Sequence, residues 1–192
     1  MVSTILSPRE AKLPRFCRYT LPLAIATFAA SGAALCHAAP AVHVGVGRDP
    51  SHNINKYEIG LLWDSGFAWG NPQGWQTRLH WEVDLARWDA RAGRDVIEVG
   101  ASPVFRLEKR GGTKVPFLEA SVGVRLVNHV STSPEHYYST AFRFSETIGF
   151  GLAFGKDLDT EIGIRLQHLS NAGIKKPNPG TDFITGYVRY RF

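Results

Sequence analysis

The chain has 192 residues, 44% of them hydrophobic and 20% charged, with 22 Lys plus Arg against 17 Asp plus Glu for a net charge of +5. That length fits one domain with a targeting segment and is short for two full cores, and the composition argues against wholesale disorder. Two cysteines support neither a disulfide framework nor a four-cysteine zinc site, while the basic balance raises nucleic-acid binding as a reading to test.

Residues 1–19 carry Arg9, Lys12, Arg15 and Arg18 against a single acid, Glu10, and Thr20 to Leu35 contains no charge at all. A basic stretch, a short apolar run and small residues at its end describe a secretory signal peptide over 1–38, with cleavage expected after Ala38. The apolar run falls short of the about 20 residues a membrane-spanning helix needs. Lipidation at Cys36 is the weaker alternative, because Leu35 is bulky for the preceding position. Without residues 1–38 the balance is 18 bases against 16 acids, a net of +2, and both Cys17 and Cys36 are gone. The nucleic-acid reading loses its support with them.

From residue 39 onward the pattern is period-two alternation between turn clusters, with no amphipathic helix of normal length. Strands are expected near 42–48 and 56–64. Over 75–88, Trp75, Thr77, Leu79, Trp81, Val83 and Leu85 share one face, and Gln76, Arg78, His80, Glu82 and Asp84 the other. The same alternation marks 97–107, 116–126 and 142–154, and two further strands are expected over 159–170 and 182–192. A soluble sandwich would turn the apolar face inward, and alternation by itself leaves that option open. Strands of ten or more residues suit a tilted membrane span, and Ser121, Gly123, Gly149 and Gly151 suit the tight interior of a small barrel. Ile184, Gly186, Val188, Tyr190 and Phe192 alternate up to a terminal Phe, which resembles the end of bacterial outer-membrane proteins. The expected fold is all-β, an eight-stranded antiparallel transmembrane barrel of outer-membrane type over 39–192, closed so that no backbone edge meets lipid. Connections at 48–55, 88–95, 127–138 and 170–181 then lie outside, and those at 65–74, 109–114 and 155–158 in the periplasm. The 65–74 connection is long for a periplasmic turn.

Five tryptophans (Trp63, Trp69, Trp75, Trp81 and Trp88) suit interfacial anchoring. His80, Glu82 and Asp84 fit a hydrogen-bonded polar interior, and His129 and His136 lack a carboxylate or cysteine pattern for holding a metal. The chemistry concentrates in 165–182, RLQHLSNAGIKKPNPGTD. On a strand, His168 and Ser170 point to one side with Cα atoms roughly 7 Å apart. An imidazole can activate a hydroxyl at that spacing if the strand end bends. Both share parity with the apolar Ile162, Ile164 and Leu166, and Asp182 shares parity with Ile184, Val188 and Tyr190. All three polar groups are thus expected on the lipid side, where they are costly, unless the stretch has already left the membrane as a polar loop.

His168-Leu169-Ser170-Asn171-Ala172-Gly173-Ile174, followed by Pro177-Asn178 and Gly180, resembles the active-site signature of the outer-membrane lipid A 3-O-deacylase (PagL) family. The specific match covers about 25 C-terminal residues, in keeping with the signal peptide, barrel length and terminal Phe. The resemblance implies an eight-stranded barrel whose C-terminal hairpin carries a cofactor-independent, metal-free site removing the ester-linked acyl chain at position 3 of lipid A. It implies Ser170 as nucleophile, His168 as general base and acid, and Asp182 as the orienting acid. The family usually has Glu there, so this chain is shorter by one methylene, about 1.5 Å of reach. Asn171, Asn178 and the Gly173 amide are candidates for oxyanion stabilisation. The expected partners are lipopolysaccharide, met by Lys175, Lys176, Arg91 and Arg94, and the outer membrane, with a homodimer left open. A non-enzymatic barrel using its outer loops and an outer-membrane phospholipase stay as rival readings.

Overall fold

The computed structural model describes residues 39–91, 93–133 and 136–192, and the expected signal peptide lies outside the described residues. Eight strands follow one another: β1 (Ala41–Asp49), β2 (Ile54–Gly70), β3 (Trp75–Ala90), β4 (Val96–Lys109), β5 (Val115–Val127), β6 (Phe142–Phe154), β7 (Thr160–Ser170) and β8 (Thr181–Arg191). Each pairs antiparallel with its neighbours, and β1 pairs with β8, so the sheet closes into a barrel. Closure gives every strand a partner on both sides, the condition for a sheet to sit in lipid.

Burial alternates residue by residue and has the opposite sense to a soluble protein. Val44, Val46, Ile59, Leu118, Val122, Ile148 and Phe150 are exposed, whereas Lys56, Glu98, Arg106, Glu119 and Arg189 are buried. The soluble sandwich is therefore replaced by a barrel with an apolar exterior. Its interior is layered. Trp88, Val96, Tyr138, Leu169 and Phe183 form an apolar cluster toward the end bearing the long connections. Charges fill the middle, and Val115, Phe117 and Tyr187 close the region toward the short turns.

The charged layer is a web rather than a set of pairs. Glu119 meets Arg106 at 3.3 Å, Arg165 at 3.2 Å and Arg189 at 3.5 Å, and accepts from the Tyr187 hydroxyl at 2.9 Å. Arg106 is held by both oxygens of Glu161 at 2.8 Å, and Arg165 by Glu82 at 2.9 and 3.2 Å. Gly149 and Gly151 leave room for this packing: a Cβ on Gly151 would fall 2.4 Å from the Phe117 ring.

Two expectations change. The long connection between β2 and β3 shrinks, because β2 continues to Gly70 past a bulge between Asp64 and Ala68. There Ser65, Gly66 and Phe67 oppose the single residue Leu79, Gly66 takes a φ of +83°, and the Ser65 hydroxyl donates to the Leu79 carbonyl at 2.6 Å. Trp88 is not an interfacial anchor. It is fully buried inside the barrel and donates its indole N–H to Glu98 at 2.7 Å, because its parity on β3 is that of Glu82 and Asp84. Trp69 and Trp75, at the short-turn end, are exposed on the outside.

Candidate active site

The last hairpin sets the site. β7 and β8 pair so that His168 stands directly opposite Asp182. Both point outward, on the parity of the exposed Ile164, Leu166, Ile184 and Val188. The His168 Nδ1–H donates to Asp182 Oδ1 at 2.6 Å. A carboxylate only accepts, so this bond fixes the tautomer and leaves Nε2 with a free lone pair. The shorter acid reaches the imidazole because the two residues are direct cross-strand partners.

Ser170 is the final residue of β7, half-buried, and shares the outward parity of His168. Its hydroxyl accepts from the Ala172 N–H at 3.4 Å, and it forms no hydrogen bond with His168 among the described residues. Imidazole and hydroxyl thus sit on one face and at one end of the barrel, with the proton path between them unmade in this rotamer.

The chain then turns through a loop that is tightly specified. Ala172 and Gly173 take left-handed φ values of 52° and 76°, and the Asn171 Oδ1 accepts from the Gly173 N–H at 3.0 Å. The Asn171 Nδ2 donates to the Ser139 hydroxyl at 3.0 Å and to the Lys175 carbonyl at 2.8 Å. The Asn171 N–H donates to Asn178 Oδ1 at 3.0 Å. Of the three oxyanion candidates, Asn171 and the Gly173 amide are therefore spent inside the loop, and Asn171 is its buried tie-point. The Asn178 Nδ2 makes no hydrogen bond among the described residues. Gly180 has a φ of +75°, and a Cβ there would sit 3.0 Å from the His168 Cε1, so its backbone walls the imidazole as only glycine permits.

A second loop braces the first. Between β5 and β6, Tyr138 bonds through its hydroxyl to Thr181, the residue before Asp182, and to His136. Ser139 donates its N–H to the Pro177 carbonyl at 3.2 Å and its hydroxyl to the Lys175 carbonyl at 2.7 Å. Burial, the neighbouring His52 and the Arg143 guanidinium push the His136 imidazole down to about 4, and burial pushes the Tyr138 phenol up to about 12. These bracing residues carry no motif of their own.

Outside the barrel, His168 and Asp182 open onto a groove of about 730 Å³. It runs from β8 over β7, β6 and β5 to β4, along Leu166, Ile148, Val122, Ala120 and Phe105. Lys175, Lys176, Arg91 and Arg94 are all exposed in the long loops. His80, Glu82 and Asp84 are buried inside the barrel, on the other side of the wall from the groove, with Glu82 on Arg165 and Asp84 3.2 Å from Arg125.

A family model described as lipid A 3-O-deacylase (PagL) matches residues 55–191. A Pseudomonas aeruginosa protein named lipid A deacylase PagL is 30% identical over 165 residues, covering 84% of this chain and 92% of that protein. A Bordetella bronchiseptica protein of the same name is 32% identical over 184 residues, covering 93% of this chain and 96% of its own length. The crystal structure of the outer membrane enzyme PagL superposes with a TM-score of 0.71 at 26% identity, over 79% of this chain and 99% of that one.

Proposed function

The chain belongs to the lipid A 3-O-deacylase (PagL) family, and from that we propose that it is a serine esterase of the outer membrane whose nucleophile is Ser170. It is a lipid A deacylase, embedded as a β-barrel, and family membership decides against the non-enzymatic barrel. The observation that carries the catalytic assignment is the 2.6 Å bond from His168 to Asp182 on the lipid-facing side, beside Ser170.

His168 Nε2 takes the Ser170 proton while the Oγ attacks the ester carbonyl carbon. Asp182 holds the tautomer and offsets the imidazolium charge. The carbonyl oxygen becomes an oxyanion, for which the Asn178 Nδ2, uncommitted among the described residues, is the candidate donor. The carbon–oxygen bond to the sugar then breaks, His168 returns its proton to the departing sugar oxygen, and an acyl-enzyme remains. Water, deprotonated by the same Nε2, attacks the acyl carbon, the carbon–Oγ bond breaks, and His168 returns the proton to Ser170 as the fatty acid leaves. The groove gives the acyl chain an apolar track leading from the reacting carbon, and the long loops present their cations toward an anionic head group.

The experiment is to incubate lipopolysaccharide-bearing membranes with the purified barrel and weigh the lipid A by mass spectrometry. The expected result is loss of one ester-linked acyl chain, no change with Ser170→Ala, and slower or no release from a phospholipid offered in parallel. Unchanged lipid A with the wild-type protein sinks the assignment.

A further inference from the structure

Strand β6 brings to the outer face a carboxylate that the reaction above leaves without a task. Its outward positions read Phe142, Phe144, Glu146, Ile148 and Phe150, so one acid interrupts an apolar row. Glu146 is exposed, and among the described residues it forms no ion pair and no side-chain hydrogen bond. Phe142 and Phe144 pack edge to face beyond it, with ring centroids 5.0 Å apart, and its partner on β5 is Val122. A carboxylate facing acyl chains is destabilising, so its presence calls for a function.

The register supplies one. Glu146 stands directly opposite His168 in the β6–β7 ladder, and Asp182 directly opposite His168 in the β7–β8 ladder. Acid, imidazole and acid form a row across three neighbouring strands, which lie about 4.8 Å apart. All three line the same groove. Asp182 occupies the Nδ1 edge, and Glu146 stands on the strand at the other side of His168.

We propose that Glu146 is a second carboxylate of this site, stabilising the imidazolium that His168 becomes when its Nε2 accepts the Ser170 proton. The proposal rests on the serine-esterase reading. No bond to Glu146 forms or breaks: the proton moves from Ser170 Oγ to His168 Nε2 as the Oγ–carbon bond forms, and the new cation lies between two anions. Beside hydrocarbon the field of the second anion is screened far less than in water. The charged groups on the flanking strand and the connecting loop are Asp182 on β8 and the exposed Lys175 and Lys176, none of them ion-paired with Glu146 among the described residues. Glu146 acts through His168 and is a positioning residue.

Glu146→Gln keeps the size and removes the charge. With detergent-dispersed lipopolysaccharide, kcat is expected to fall about tenfold, the effect of one poorly screened charge a strand away. The acid limb of the kcat/KM profile moves to lower pH, because the imidazolium formed in the reaction has lost one of its two anionic neighbours. Glu146→Asp keeps the wild-type limb. Rates are taken per folded barrel, measured by heat-modifiable electrophoretic mobility, so a folding loss is not counted as a catalytic one. A Gln variant whose acid limb coincides with wild type overturns the proposal, whatever its rate. Ser170→Ala, run alongside, separates the two layers: activity there overturns the serine-esterase reading itself. An inactive Ser170→Ala with an unmoved limb in Glu146→Gln overturns the role of Glu146 alone.

Discussion

Charge is treated in opposite ways on the two sides of the barrel wall. Inside, Arg106, Arg165 and Arg189 share Glu82, Glu119 and Glu161, and every one of them is buried. Outside, Asp182, His168 and Glu146 stand in a row on an apolar surface, and only His168 and Asp182 are bonded to each other. The interior charges have partners from several strands, so they hold the strands together. The exterior ones hold nothing together that apolar side chains would not hold better. In a membrane barrel, then, a titratable group on the lipid-facing parity points to chemistry, and one on the inward parity to architecture.

Substitutions can break that division cleanly. The largest effect is expected outside. Asp182→Asn removes the acceptor that fixes the His168 tautomer, and the rate should fall roughly 10²- to 10⁴-fold. The unfolding midpoint should stay put, since Asp182 is exposed and bonded only to His168. Asp182→Glu should return most of the rate. A variant that lost stability in step with rate would show the outer row to be structural. Inside, Glu119→Ala takes one shared acceptor from three buried guanidinium groups and leaves the Tyr187 hydroxyl without its partner, at a cost of about 3–5 kcal/mol. Urea unfolding in bilayers should register this, while the rate per folded barrel stays near wild type. A selective loss of kcat would mean that the interior web feeds the site, and the contrast between the two faces would fail.

The same contrast explains what could be read from the chain alone. Eight strands were visible because inside and outside alternate along each. The rule failed at Ser65–Phe67, where two extra residues shift the register and hide the rest of β2. His168, Ser170 and Asp182 were visible as polar residues on an apolar parity, sharpened by the family signature around them. Glu146 carries the same parity signal between Phe144 and Ile148, without a motif to draw the eye. Asn171 reads as an oxyanion donor because one of its two acceptors, Ser139, lies 32 residues away on another loop. No local pattern encodes a side-chain bond across that separation. For the same reason the 128–138 segment was legible only as an outer loop, not as the brace of the active-site hairpin.

That brace joins the two regimes, and it should be the part that responds to pH. His136 sits against His52 and bonds to Tyr138, whose hydroxyl reaches Thr181. Its imidazole is held neutral down to about 4, while a solvated histidine takes a proton near 6.5. The closed loop therefore has its full stability above about pH 6.5, and loses it progressively as pH falls toward 4, where the folded form also protonates. Solvent access discounts the effect to about 1–2 kcal/mol. The barrel itself need not unfold, because the loop can open by itself. Hydrogen exchange at Thr132, Tyr138 and Ser139, whose amides donate to the His136, Val130 and Pro177 carbonyls, reports this opening. Their protection should fall between pH 7 and 4.5, with strand amides unchanged, and His136→Gln should flatten the dependence. Equal protection at both pH values in the wild type would mean that the brace is held by Ser139 and Asn171 alone.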